Sequence, residues 1–224
     1  MAARVIDSTK GQEAMAELCR RYWYPLYAYV RGCGYSQEDS EDITQAFFVH
    51  ILEGDLVSRA DDSRGRFRWF LLGSLRNFLR NRILWETAIK RGGGTQRVTW
   101  ESAEAEQRYM ADQADLRAPD ELFDLGWARS TLGAAFRRLA DEFGASGRAA
   151  LFEHLKQGLV EGQVAASYEE IARQLGVTVS AVKVSMHRLR HRFRDLVRAE
   201  VACSVADPAE VDDEFRHLVE LLAK

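Results

Sequence analysis

Apolar residues recur along most of this chain with the period of an α-helix. Between residues 11 and 31, Met15, Leu18, Tyr22, Leu26 and Tyr29 or Val30 fall on one side, as in a helix with one buried stripe. Pro25 lies inside that helix and is expected to kink or split it, because proline lacks a backbone donor. Gly32 and Gly34 close the segment. Ser36 is a candidate N-cap for a helix over 37–52, whose first turn holds Glu38 and Asp39, where acids suit the helix dipole. Its inner stripe is Ile43, Phe47 or Phe48, and Ile51. A polar loop over 54–65 precedes a helix over about 66–84. There Phe67, Leu71, Leu75 and Phe78 cluster on one side, and Trp69, Gly73, Arg76 and Arg80 on the other.

Gly92, Gly93 and Gly94 interrupt the pattern, and residues 86–121 read as an acidic, flexible linker with room for a transient helix near 101–111. Periodicity resumes over 122–143 through Phe123, Trp127, Leu132 or Thr131, Phe136 or Ala135, and Leu139. A further helix over 146–157 carries Leu151, Phe152 and Leu155. After a loop over 158–166, Ser167, Tyr168, Glu169 and Glu170 have the form of a capping box, with reciprocal side-chain bonds between Ser167 and Glu170. A short helix from Tyr168 to Leu175 should end at Gly176, which takes the left-handed conformation cheaply. Thr178 caps a second, longer helix with Val182, Met186, Leu189, Phe193 and Leu196 inside. Beyond Arg198, Asp207 can cap and Pro208 suits a first helical position. Val211, Phe215, Leu218 and Leu222 then mark a short amphipathic helix that folds back on the domain or meets a partner. With only three prolines and few β-branched runs, the expected fold is all-α. It comprises two small helical domains, over 1–85 and 122–200, a linker over 86–121, and a tail over 201–224.

Charge sharpens this picture. The net charge is only −3, but it is segregated: eight acids and one Arg over 36–62, nine Lys/Arg and one acid over 63–97, eight acids and two Arg over 101–124. Such blocks point to surfaces with different partners. Between Lys183 and Arg198 stand six Lys/Arg against Asp195 alone, the density that phosphate neutralisation needs. A capped short helix, a glycine turn and a longer basic helix make a helix-turn-helix, whose second helix enters the DNA major groove. Its outward residues are Ser180, Lys183, Val184, His187, Arg188 and His191. On the preceding domain, Trp69 among arginines fits unpaired DNA, since an aromatic stacks bases while arginines track the backbone. The pattern fits equally a Trp packed beneath a loop. Asp42 and Gln45 share a face and read, by themselves, as solvated surface.

Cys19, Cys33 and Cys203 lack metal-binding or disulfide spacing, and a reduced, cytoplasmic setting is expected, with no signal peptide and no apolar run of membrane-spanning length. No nucleotide-binding, zinc-protease or serine-hydrolase motif occurs. His187 and His191 have no third ligand nearby. No catalytic residue, cofactor or metal is expected.

Taken in order, these segments resemble the sigma subunits of bacterial RNA polymerase of the extracytoplasmic-function (ECF) type. Arg21-Tyr22 through Gly34, with Glu41, Asp42, Ile43, Thr44, Gln45, Ala46, Phe47 and Phe48, looks like the opening of region 2. Arg66 through Leu72, with Leu75 through Arg80, resembles its promoter-facing helix. Residues 167–172, 175–177, 182–183 and 187–190 look like region 4. The resemblance implies that Asp42 and Gln45 dock on the polymerase β′ clamp, and that region 4 meets the β flap. It places the loop over 56–64 where a flipped −10 base is held. It further implies that Arg64, Arg66, Trp69, Arg76, Asn77 and Arg80 hold the melted −10 element, and that Ser180, Lys183, Val184, His187 and Arg188 contact the −35 duplex. The linker would thread the polymerase cleft. Partners would be core polymerase, promoter DNA and an anti-sigma protein. This chain has Phe70 where many members have Trp, and Val184 where a polar residue is frequent. A rival reading is a stand-alone helix-turn-helix regulator that binds duplex DNA without polymerase.

Overall fold

The computed structural model describes residues 9–53, 66–88, 102–113, 117–160 and 167–223. In these the chain forms α1 (Thr9–Gly32), α2 (Gln37–Glu53), α3 (Phe67–Ala88), α4 (Ser102–Gln113), α5 (Pro119–Ala145), α6 (Ala149–Leu155), α7 (Gln157–Val160), α8 (Tyr168–Leu175) and α9 (Val179–Ala202). A 3-10 turn (Pro208–Glu210) then leads into α10 (Val211–Leu222). Among the described residues there is no strand; the fold is all-α. It divides into two compact units, one of residues 1–130 with 204–224 and one of residues 131–203.

The first unit is built on α1, which stays one helix through Pro25. Proline removes one hydrogen bond there, but its neighbours Tyr24, Leu26, Tyr27 and Ala28 are all buried, and that apolar burial outweighs the lost bond. Gly126 of α5 accommodates the close approach: a Cβ there would lie 3.0 Å from the Pro25 Cα. Ile43, Phe47, Phe48 and Ile51 of α2 and Leu71, Leu72, Leu75 and Leu79 of α3 complete the core. The buried stripe of α3 is rotated from the expected one. Phe67 and Phe78 are half-buried, and the stripe begins at Arg68.

The stretch expected to be a flexible linker contains α4. Its Ala105 and Tyr109 are buried against Tyr24, Tyr27, Ala28 and Leu122. Polar bonds fix the same junction: the Tyr24 hydroxyl donates to Asp112 at 2.6 Å, Tyr27 donates to Glu106, and Arg31 grips both oxygens of Glu106 at 3.0 and 2.7 Å. Hydrogen bonding from Arg31 holds the Glu106 carboxyl below the usual carboxylate range. A strongly acidic segment is thus tethered by an arginine and two tyrosines of α1, which composition alone does not reveal.

In the second unit Phe136 and Phe143 of α5 pack on Phe152 of α6, with ring centroids 5.4 and 5.6 Å apart. At the two open positions of α5 it is Thr131 and Ala135 that are buried, beside Leu139. α6 begins at Ala149 rather than 146. The reason is the end of α5: Gly147 sits at φ +68° and Arg148 N–H donates back to the Phe143 carbonyl at 2.8 Å, a left-handed stop that consumes three residues. Ile171 and Ala172 of α8 and Val182, Met186, Leu189 and Leu196 of α9 supply the rest of the core.

Candidate nucleic-acid and polymerase surfaces

Local chemistry sets the angle between α8 and α9. The Glu170 amide donates to the Ser167 hydroxyl at 3.2 Å, while the Glu170 carboxylate accepts from Arg173 instead of turning back to Ser167. One half of the capping box is therefore used. Gly176 ends α8 at φ +64°, and Thr178 caps α9 by accepting from the Ala181 amide at 3.2 Å. With Val182, Met186 and Leu189 turned inward, Ser180, Lys183, Val184, His187, Arg188 and His191 are all exposed. Val184 is 46% exposed in the middle of this face, and the His187 and His191 rings lie 4.5 Å apart.

Not every cation of α9 belongs to the face. Arg192 pairs with Glu142 through two bonds at 2.8 and 2.6 Å; that bonding holds Glu142 below its ordinary range and raises Arg192. Arg190 donates to the Gly158 carbonyl. Lys183 and Arg188 form no ion pair among the described residues. The cationic charge presented for phosphate contact is thus smaller than the six Lys/Arg counted along the helix, by at least the charge of Arg192.

On α3 the expected −10 residues separate into two groups. Trp69 is 54% exposed, and Asn77 and Arg80 are exposed along the same helix. Arg76 is exposed too, but it donates to the Tyr29 hydroxyl at 3.2 Å and pairs with Asp120. Arg66 is held differently: it pairs with Glu214 of α10 at 2.7 Å and lies 4.7 Å over the Trp69 ring. Arg64, with the loop over 56–64, lies outside the described residues. Asp42 is exposed and Gln45 half-buried on one face of α2, and the exposed Val49 extends that face by one turn.

The periodicity passed over the centre of this unit. Arg68 is 1% exposed and Glu214 0%. Arg68 donates to Glu214 at 2.5 Å and also to Asp124, and its guanidinium stacks 4.8 Å from the Trp127 ring and 5.2 Å from Trp69. Burial raises the Asp124 carboxyl more than its pairing with Arg68 lowers it. A signal was present: Arg68 stands at the head of the stripe Leu71, Leu72, Leu75, Leu79, and Glu214 one turn before Leu218. Two opposite charges on two apolar faces are a candidate buried pair. The tail is correspondingly rotated from its expected stripe, with Glu214 and Leu218 inside and Leu222 exposed.

Among the described residues no cluster of His, Cys, Asp and Glu could hold a metal ion, and no helix is long and apolar enough to cross a membrane. No family model matches the chain, and no solved structure matches it. Among curated proteins, the ECF RNA polymerase sigma factor SigE of Mycolicibacterium smegmatis is 29% identical over 194 residues, covering 85% of this chain. The chain spans 65% of the length of that relative. Over most of its length, therefore, the chain resembles a sigma factor of the extracytoplasmic-function type.

Proposed function

We propose that the chain is a promoter-specificity subunit for bacterial RNA polymerase, with no catalytic chemistry of its own. Asp42 and Gln45 dock on the β′ clamp of the core enzyme. The outward face of α9 reads −35 as duplex, with Lys183 and Arg188 on phosphates and Ser180, Val184 and His187 at base edges. Trp69, Asn77 and Arg80, with Arg66 and Arg76 once released from their carboxylates, hold the opened −10 strand, together with Arg64. An anti-sigma protein is a fitting regulator of such a subunit.

The observation that carries this reading is the pairing of two exposed, differently built faces on one chain. One is a basic helix that follows a glycine turn and is shaped for a major groove. The other is a solvent-facing Trp in line with Asn and Arg, suited to bases without partners. A stand-alone duplex-binding regulator has no use for the second.

Run-off transcription with purified core polymerase over a pool of promoter fragments tests it: the chain should confer initiation on a subset of fragments. Lys183→Glu with Arg188→Glu should abolish that selectivity and leave co-elution with core polymerase intact. Failure to associate with core polymerase at any salt concentration refutes the reading.

A further inference from the structure

The Arg66 guanidinium lies over the Trp69 ring at 4.7 Å, where a stacking base would sit, and its charge is taken by Glu214 at 2.7 Å. Glu214 belongs to α10, which returns to the first unit after the whole of the second has been made. Five acids and no base stand in the eight residues from Asp207 to Glu214; of these Glu214 meets the arginines, while Asp213 pairs with Arg216 and Asp207 caps the turn before α10. Its hold is narrow. Within α10 only Glu214 and Leu218 are fully buried, and Val219 and Leu222 point to solvent. A 12-residue helix is marginal by itself in water, so α10 is ordered only while docked.

We propose that α10 is a built-in competitor for the opened strand: Glu214 occupies the place of a DNA phosphate on Arg66 and Arg68, and engagement of single-stranded DNA requires α10 to leave. This inference rests on the proposed function. If the binding-competent form is about one molecule in ten, apparent affinity falls about tenfold, and the chain is held back until polymerase and a melted strand together displace the helix. The rival to exclude is a structural α10 that stays in place while DNA binds around it.

Hydrogen exchange of the α10 amides decides between them, measured on the full chain alone and in the open complex with core polymerase and promoter DNA. Release predicts that residues 211–222 exchange at least tenfold faster in the open complex. Glu214→Gln, and separately Leu218→Ser, which loosens α10 without touching the arginines, should each raise run-off yield several-fold at limiting chain concentration. An open complex in which α10 stays as protected as in the free chain overturns this inference and leaves the proposed function standing. So does unchanged or lower yield from both variants when both still co-elute with core polymerase. Failure to form any open complex instead refutes the proposed function.

Discussion

Replacing Arg68 by methionine tests the buried ion pair most directly. The substitution keeps most of the side-chain length and removes the charge. Glu214, with no exposed surface, would lose its bond at 2.5 Å and keep only Arg66 at 2.7 Å. Asp124 would lose its arginine and keep His217, 3.8 Å away. Removing one partner of a buried pair costs about 3–5 kcal/mol, because the other charge is left uncompensated. Glu214→Leu should cost a similar amount, since Arg68 keeps only the partly exposed Asp124. The double variant replaces the pair by apolar groups of similar size, a change that is often neutral or stabilising by about 1–4 kcal/mol. The two single costs should therefore not add: the coupling between the sites should exceed about 3 kcal/mol. Trp23, Trp69 and Trp127 lie in the first unit, Trp69 and Trp127 against Arg68, so urea unfolding followed by tryptophan fluorescence reports on the pair. Single variants that each lose less than about 1 kcal/mol, or a double variant whose loss equals their sum, would refute the claim that this pair is an obligate buried couple.

Three further outcomes are expected. Asp42→Arg should weaken association with core polymerase, and unchanged co-elution in gel filtration would contradict the role given to that face. Gly126→Val places atoms against Pro25 and the Tyr24 ring, where even a Cβ meets neighbours at 3.0 and 3.3 Å; overpacking of this kind costs about 1–3 kcal/mol, read as a lower urea midpoint. Glu106 has its folded-state acidity strengthened by Arg31, so the stability it adds is complete above its ordinary value of 4.5 and is lost as pH falls through the lower folded value. Glu106→Gln should flatten the fall of the urea midpoint between pH 5 and 3, and an unaltered slope would remove Glu106 as a contributor.

The elements most legible in the sequence are those whose signals are local. Ser167, Gly176 and Thr178 fix the boundaries of α8 and the start of α9 by bonds that span three or four residues, and α9 buries the expected stripe, with Phe193 half-buried. Pro25 does not split α1, because its penalty is local while the compensation comes from residues far along the chain, Gly126 among them. In the acidic segment a helix near 101–111 is legible, but the bonds of Glu106 and Asp112 to Arg31, Tyr27 and Tyr24 are tertiary and leave no local trace. Arg68 and Glu214 lie 146 positions apart; each stands on an apolar stripe, but periodicity does not say that the two pair with each other. On α3 the exposure of Trp69, Asn77 and Arg80 follows from helical phase, whereas the ties of Arg66 and Arg76 to Glu214 and Asp120 are tertiary.

In sequence, the first unit takes residues from before and after the second, and this has a consequence for synthesis. A ribosome makes Glu214 146 residues after Arg68, a delay of roughly 7–30 seconds at about 5–20 residues per second. Throughout that interval Arg66 and Arg68 lack their Glu214 partner, in a cell full of RNA. Acidic crowding agents or chaperones that shield such a surface would matter most in that window, and a chain released early would keep the surface open permanently.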